Sequence, residues 1–167
     1  HNLLAAGGGV RTASVGGGSR FTDQTASTWS STVGLSPWVS SNSNTTYGTG
    51  TDPNPPRSIG WCVAPFTGTV EEITINYIVS GVSNPADGEI VLYRIPISDG
   101  ATSFGTLVKL ATVDVSVSGT AGTSYVKTFT PSLAVNQGDY IQIFKYTGAV
   151  DTAWTAHIGW SAVIEAT

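Results

Sequence analysis

Charge is what this sequence has least of. Asp, Glu, Lys and Arg make up 11% of the 167 residues, under half the usual share of about a quarter. The seven Lys and Arg stand far apart and the net charge is −4, so no basic stripe exists to neutralise a phosphate backbone, and nucleic acid is excluded as a natural partner. Cysteine is nearly absent. A single Cys62 rules out an intramolecular disulfide, and its place in the apolar run Ser58-Ile-Gly-Trp-Cys-Val-Ala64 gives it the role of a small buried hydrophobe. A disulfide-free chain fits assembly in a reducing cytosol and fits a bacterial secreted protein equally, which leaves the compartment open. No apolar run approaches the roughly 20 residues that cross a bilayer, and no charged-then-apolar segment opens the chain. No membrane partner is expected, and the chain reads as cytosolic or as having lost its signal.

Helix-forming patterns are also missing. Val and Ile total 28 against seven Leu, and Thr adds 23 more β-branched residues, whose stiff side chains suit pleated strands and crowd a helix. No window repeats apolar residues at the 3.6-residue spacing with a cap and a stop, so no helix longer than two turns is expected. What remains in abundance is Gly (20), Ser (19) and Thr (23), together over a third of the chain. The surface is therefore built from hydroxyls and backbone. The length suits one domain, or one domain with an arm.

Residues 1–57 differ from residues 58–167. The first segment holds two glycine triplets (Gly7-Gly8-Gly9 and Gly16-Gly17-Gly18), the polar stretch 40–46 and the turn-dense run 48–56. Glycine-rich chain has high entropy and nothing to bury, so it takes shape only where a neighbour supplies contacts. The expectation is an extended arm ordered on a partner subunit, with a floppy tail as the plain alternative; Trp29, Leu35, Trp38 and Val39 are candidates to anchor its second half on the main domain. From Ile59 onward, strand-like runs at 58–64, 69–79, 89–95, 107–117, 124–130, 139–146 and 154–165 alternate with Gly, Pro, Asn and Asp turn chemistry. Seven such strands plus one or two from the first segment make an all-β, antiparallel two-sheet sandwich of jelly-roll type.

Alternation assigns faces. Ile73, Ile75, Tyr77 and Val79 share one side of their strand, with Glu72, Thr74, Asn76 and the exception Ile78 on the other. Trp154, Ala156, Ile158, Trp160, Ala162 and Ile164 share the predicted core side of the last strand, opposite His157. In 139–146, Ile141 and Ile143 oppose Tyr140, Phe144 and Tyr146, so this strand is expected to be covered on both faces, a subunit interface being one source of the second cover.

Candidate chemistry is sparse. Glu71 and Glu72 are neighbours on a strand and are expected to point to opposite faces, which denies them a carboxylate pair. Asp87, Glu89 and Asp139 sit at turns and strand starts, where edge and turn roles explain them; a calcium site from Asp87 and Glu89 lacks further carboxylates. No Gly-x-Ser-x-Gly elbow or phosphate-binding loop is present, and no catalytic residue, cofactor or metal is assigned. Two sharper alternatives remain. His1 and His157 are the two histidines, and an N-terminal histidine with a second imidazole resembles the copper-binding brace of lytic polysaccharide monooxygenases. Trp29, Trp38 and Trp61 are candidates for stacking on the rings of a glycan.

The stretch Val63-Ala-Pro-Phe-Thr-Gly-Thr-Val70, followed by a long strand, then Leu133-Ala-Val-Asn-Gln-Gly-Asp-Tyr-Ile-Gln-Ile143 and a closing aromatic strand, resembles the jelly-roll modules of tailed-bacteriophage virion proteins, including capsid decoration proteins and tail-fibre tips. The resemblance covers roughly residues 58–165. It implies a non-enzymatic virion protein, assembled in the host cytoplasm, that forms homotrimers and contacts major capsid or tail proteins, with a carbohydrate- or receptor-binding fibre tip as the alternative. It also implies an N-terminal arm that reaches neighbours, here Gly7, Gly8, Gly9, Val10, Arg11, Val15, Gly16, Gly17, Gly18, Arg20 and Phe21.

Overall fold

The computed structural model describes residues 9–21, 28–32, 44–46, 53, 62–80, 85, 87–148 and 154–167, and it contains no helix among them. Eleven strands follow in chain order: β1 (Thr12–Phe21), β2 (Thr28–Thr32), β3 (Asn44–Thr46), β4 (Cys62–Val63), β5 (Gly68–Ser80), β6 (Glu89–Ile95), β7 (Val108–Asp114), β8 (Ser124–Phe129), β9 (Leu133–Val135), β10 (Tyr140–Thr147) and β11 (Thr155–Ala166). They make two antiparallel sheets. The first runs β1-β11-β5-β8 with β9 beside β5, and the second runs β3-β2-β10-β6-β7 with β4 beside β10. The chain is all-β, as its β-branched composition requires.

The apolar layer between the sheets follows the alternation of the long strands. Ile73, Ile75, Tyr77 and Val79 of β5 meet Ile90 and Leu92 of β6 and Ile141 and Ile143 of β10, and the six-residue series from Trp154, just ahead of β11, to Ile164 on it is buried with them. Each such side chain contributes about 1.5–3 kcal/mol by leaving water. On the other side of the second sheet a separate apolar layer forms from Trp29, Val91, Tyr93, Ile95 and Phe144, with Ile97, Phe104, Leu107, Tyr140 and Tyr146 packed against it. Strand β10 is thus covered on both faces, as its mixed pattern indicated. The cover comes from the chain itself, because Val91, Tyr93, Ile95 and Phe144 are all 0% exposed in a single copy; no subunit interface is needed to supply it.

Three local differences have physical causes. Strand β7 ends at Asp114 rather than Val117 because the Asp114 carboxylate accepts the Ser116 backbone N–H at 2.8 Å and its hydroxyl at 2.6 Å, a turn that competes with the ladder. Residues 133–135, which fall between the strand-like runs read from the sequence, pair with Gly68–Val70 as β9. Finally, the β5–β11 register shifts so that Val70 pairs Ile164 and Glu72 pairs Val163. The extra residue is Glu71, and both Val70 and Ile73 are buried while neither glutamate is. This bulge overturns the expectation that Glu71 and Glu72 face opposite ways: both lie on the solvent side.

Strand β1 is the most consequential difference. Residues 12–21 pair with β11 over ten consecutive positions, from Thr12 opposite Glu165 to Phe21 opposite Ala156. The described part of the Gly-rich segment is therefore an edge strand of its own sandwich. Backbone hydrogen bonds, which glycine makes as well as any residue, supply the order that its side chains cannot. Gly17 stands opposite Trp160, and the thiol of Cys62 on β4 donates to the carbonyl of Gly16 at 3.3 Å.

Candidate functional site

Two of the turns singled out in the sequence dock on each other. The N–H of Ala64 donates to the carbonyl of Asp139 at 2.8 Å, and the N–H of Gly138 donates back to the carbonyl of Ala64 at 2.9 Å. One residue along, the N–H of Gln137 donates to the Thr67 hydroxyl at 3.1 Å. The Ala64-Pro-Phe-Thr-Gly68 corner and the Asn136-Gln-Gly-Asp139 turn thus form one unit at one end of the sandwich. Gly138 adopts φ +93°, a conformation that suits glycine and explains its place in the turn.

Asp139 is the centre of that unit and is 1% exposed. Its Oδ2 accepts the N–H of Asn136 at 2.9 Å and its Oδ1 accepts the N–H of Ile97 at 3.3 Å. Arg94 lies alongside, with Nε 3.5 Å from Oδ2 and a hydrogen bond from its guanidinium to the carbonyl of Ala134. A buried carboxylate with two backbone donors and an arginine is fully engaged in tying β6, β9 and β10 together. The N-terminal segment reaches the same end: the Arg11 guanidinium lies 4.4 Å over the ring of Phe66, and the N–H of Ala166 donates to the Arg11 carbonyl at 2.8 Å.

The arm residues named from sequence divide accordingly. Gly7 and Gly8 lie outside the described residues. Gly9 and Val10 precede β1, with Val10 55% exposed. Arg11 is half-buried over Phe66, and Val15, Gly16, Gly17, Gly18, Arg20 and Phe21 belong to β1.

Of the stacking candidates, Trp29 is buried in the second apolar layer. Its ring meets Tyr146 at 4.8 Å and Tyr93 at 5.8 Å between centroids, with the Lys109 ammonium 5.9 Å away. Trp38 and Trp61 lie outside the described residues. His157 is exposed on the outward face of β11, opposite Ile78, and His1 lies outside the described residues. Among the described residues no three metal-ligating side chains stand together, and no helix is long and apolar enough to cross a membrane.

Sequence reading missed Lys145. It shares the inner side of β10 with Ile141 and Ile143 and is 0% exposed. Its ammonium lies 4.4 Å over the Trp154 ring and donates to the Thr147 hydroxyl at 3.3 Å. Strict alternation from Ile143 puts it there, against the general rule that lysine is exposed. Burial raises the Cys62 thiol above its ordinary range, offset in part by the bond to Gly16. Burial likewise raises the Tyr77 phenol, whose hydroxyl bonds Ser118 at 2.6 Å.

The outward face of the first sheet carries small side chains at its centre. Cross-strand register places Gly16, Ser161, Thr74 and Thr128 in one row, and Gly18, Gly159, Asn76 and Val126 in the next. Comparison with known proteins adds no relative: no family model and no curated protein matches the chain.

Proposed function

We propose that this chain is a non-enzymatic structural subunit of a tailed-phage particle surface, a decoration or cement protein built on a jelly-roll module. The observation that carries the reading is the corner just described. The two stretches behind the resemblance to virion modules are remote in sequence, yet they hydrogen-bond directly through Ala64, Gly138 and Asp139. The first segment is latched beside them by Arg11 on Phe66. Its partners in this reading are major capsid or tail proteins and further copies of itself. Because β1 is part of the sandwich and Arg11 is held on Phe66, the portion that engages a neighbour is the stretch ahead of Arg11, ending in the exposed Val10. Its work is mechanical: apolar burial at about 25 cal/mol per Å² drives docking, and ordering the stretch opposes it.

The test is co-sedimentation with purified phage particles of the source virus from which the protein has been stripped. The full chain is expected to rebind, and a chain beginning at Arg11 is expected to fold and to lose most of that binding. Full retention of binding by the shortened chain would remove the arm from the mechanism. Absence of the protein from purified particles by mass spectrometry would end the reading.

A further inference from the structure

Among aspartate linkages, Asp-Gly is the one most open to rearrangement, because glycine puts no Cβ between its nitrogen and the neighbouring carboxyl carbon. The chain holds two, Asp87-Gly88 and Asp99-Gly100, and the fold treats them in opposite ways. Gly88 is buried against the Trp154 ring and Val115, and its carbonyl accepts the Val115 N–H at 3.1 Å. The Asp87 carboxylate lies against Gly148, filling the room a side chain would take there. Asp99 and Gly100 form the middle of a turn closed by the Ala101 N–H on the Ser98 carbonyl at 3.1 Å. Residues 98–103 are all exposed, Gly100 stands at φ +71°, and a Cβ on it would meet no atom within 4 Å. Among the described residues, neither the Asp99 carboxylate nor the Gly100 N–H has a hydrogen-bond partner.

We propose that Asp99-Gly100 is a site of spontaneous isoaspartate formation, and that the fold protects Asp87-Gly88 from the same reaction. The Gly100 nitrogen attacks Cγ of Asp99: the N–Cγ bond forms, the bond from Cγ to the carboxyl hydroxyl breaks, and the hydroxyl leaves with the proton of the nitrogen as water. The product is a succinimide ring. Water then opens the ring at either carbonyl. Breaking the N–Cγ bond restores aspartate, whereas breaking the bond from nitrogen to the main-chain carbonyl carbon of Asp99 leaves the chain running through Cβ and Cγ, with a free carboxylate on Cα. Nothing is oxidised or reduced, and water is the sole co-reactant. The first step needs the Gly100 peptide plane to rotate until its nitrogen faces Cγ, and an exposed turn with an unengaged carboxylate allows that by local motion. At Gly88 the same rotation would pull the plane away from Trp154 and break the bond from Val115, so reaction there waits on unfolding. The rearranged link carries an extra main-chain carbon, which lengthens the Ser98–Ala101 turn just after Ile97, whose N–H is held by the Asp139 carboxylate.

The experiment is ageing of the full chain in warm neutral buffer, with samples digested over several weeks and the peptides holding each Asp-Gly pair separated by liquid chromatography and identified by mass spectrometry. Synthetic peptides covering residues 84–92 and 96–104 set the rates without a fold. In the folded protein, isoaspartate is expected to accumulate at Asp99 within about tenfold of its peptide rate, and at Asp87 at least about tenfold more slowly than its own peptide. Ageing in heavy-oxygen water is expected to place the label in the Asp99 peptide and not in the Asp87 peptide. In guanidinium chloride the two sites are expected to converge on their peptide rates. Asp99→Glu, which would need a larger ring, is expected to abolish the product at that position with the circular dichroism spectrum unchanged. Absence of isoaspartate at Asp99 under conditions that convert its free peptide, or equal accumulation at Asp87 and Asp99 in the folded protein, would overturn the proposal.

Discussion

Asp139 and Asn136 close the turn ahead of β10 on themselves: the carboxylate Oδ2 accepts the Asn136 N–H at 2.9 Å while the Asp139 N–H donates to the Asn136 carbonyl at 3.1 Å. The same carboxylate also takes the N–H of Ile97 from the end of β6 and faces Arg94. Asp139→Ala leaves two backbone donors without their acceptor and the Arg94 guanidinium without its counter-charge, and is expected to cost about 3–5 kcal/mol of folding free energy. Asp139→Asn keeps one acceptor oxygen and is expected to cost less. Urea titrations of the three proteins check the order.

Lys145 has its ammonium in the main apolar layer, against the Trp154 indole and the Thr147 hydroxyl. Lys145→Ala removes a long stem and a buried cation at once and is expected to destabilise by about 3 kcal/mol or more. Lys127→Ala, on the half-buried edge strand β8, is expected to cost well under 1 kcal/mol. Equal effects of the two substitutions in thermal denaturation would contradict the placement of Lys145.

The period-two series of β5 and β11 were legible because one face of the first sheet meets the core and the other meets water, the condition under which alternation is informative. The double cover of β10 was legible for the converse reason: its apolar residues fall on both parities. Three things were not legible. The bulge at Glu71 depends on the pairing partner, and nothing in two adjacent glutamates says which one is extra. The fate of β1 depends on a backbone ladder to residues far along the chain, and backbone hydrogen bonding leaves no trace in side-chain composition. The convergence of Ala64, Asp139 and Arg94 is likewise non-local. The turn chemistry of Gly138-Asp139 was evident, but not which strands the carboxylate would tie together.

Gly88 is packed against a tryptophan. A Cβ there would lie 2.8 Å from Cζ2 of Trp154 and 2.9 Å from Cγ2 of Val115, both in the main core. Gly88→Ala is therefore expected to cost about 1–3 kcal/mol through overpacking, despite the backbone entropy that alanine saves in the unfolded chain. Gly122, at φ +77° with open space around it, is the contrast. Its replacement by alanine meets no atom and costs only the left-handed backbone conformation, about 1 kcal/mol. Intrinsic fluorescence of Trp154 is expected to shift in Gly88→Ala and to stay unchanged in Gly122→Ala.

Cys62 gives the fold a dependence on alkaline pH. Its thiol is raised above the ordinary range, first by burial, with the bond to the Gly16 carbonyl acting in the opposite direction. A group whose folded-state pKa is raised favours the native state while it is protonated. That contribution is fully present below the unfolded thiol value and fades as pH climbs towards the folded one. Stability is therefore expected to be flat with respect to this group through neutral pH and to fall above about pH 9, with Tyr77 adding to the loss at higher pH for the same reason. In Cys62→Ala the part of the decline due to the thiol is expected to disappear, and denaturation midpoints measured between neutral and alkaline pH should separate from those of the native chain only at the alkaline end. The same burial predicts slow modification of the native thiol by a disulfide reagent near neutral pH, rising sharply in denaturant. Fast modification in the folded protein would place the Cys62 sulfur in solvent, away from β1.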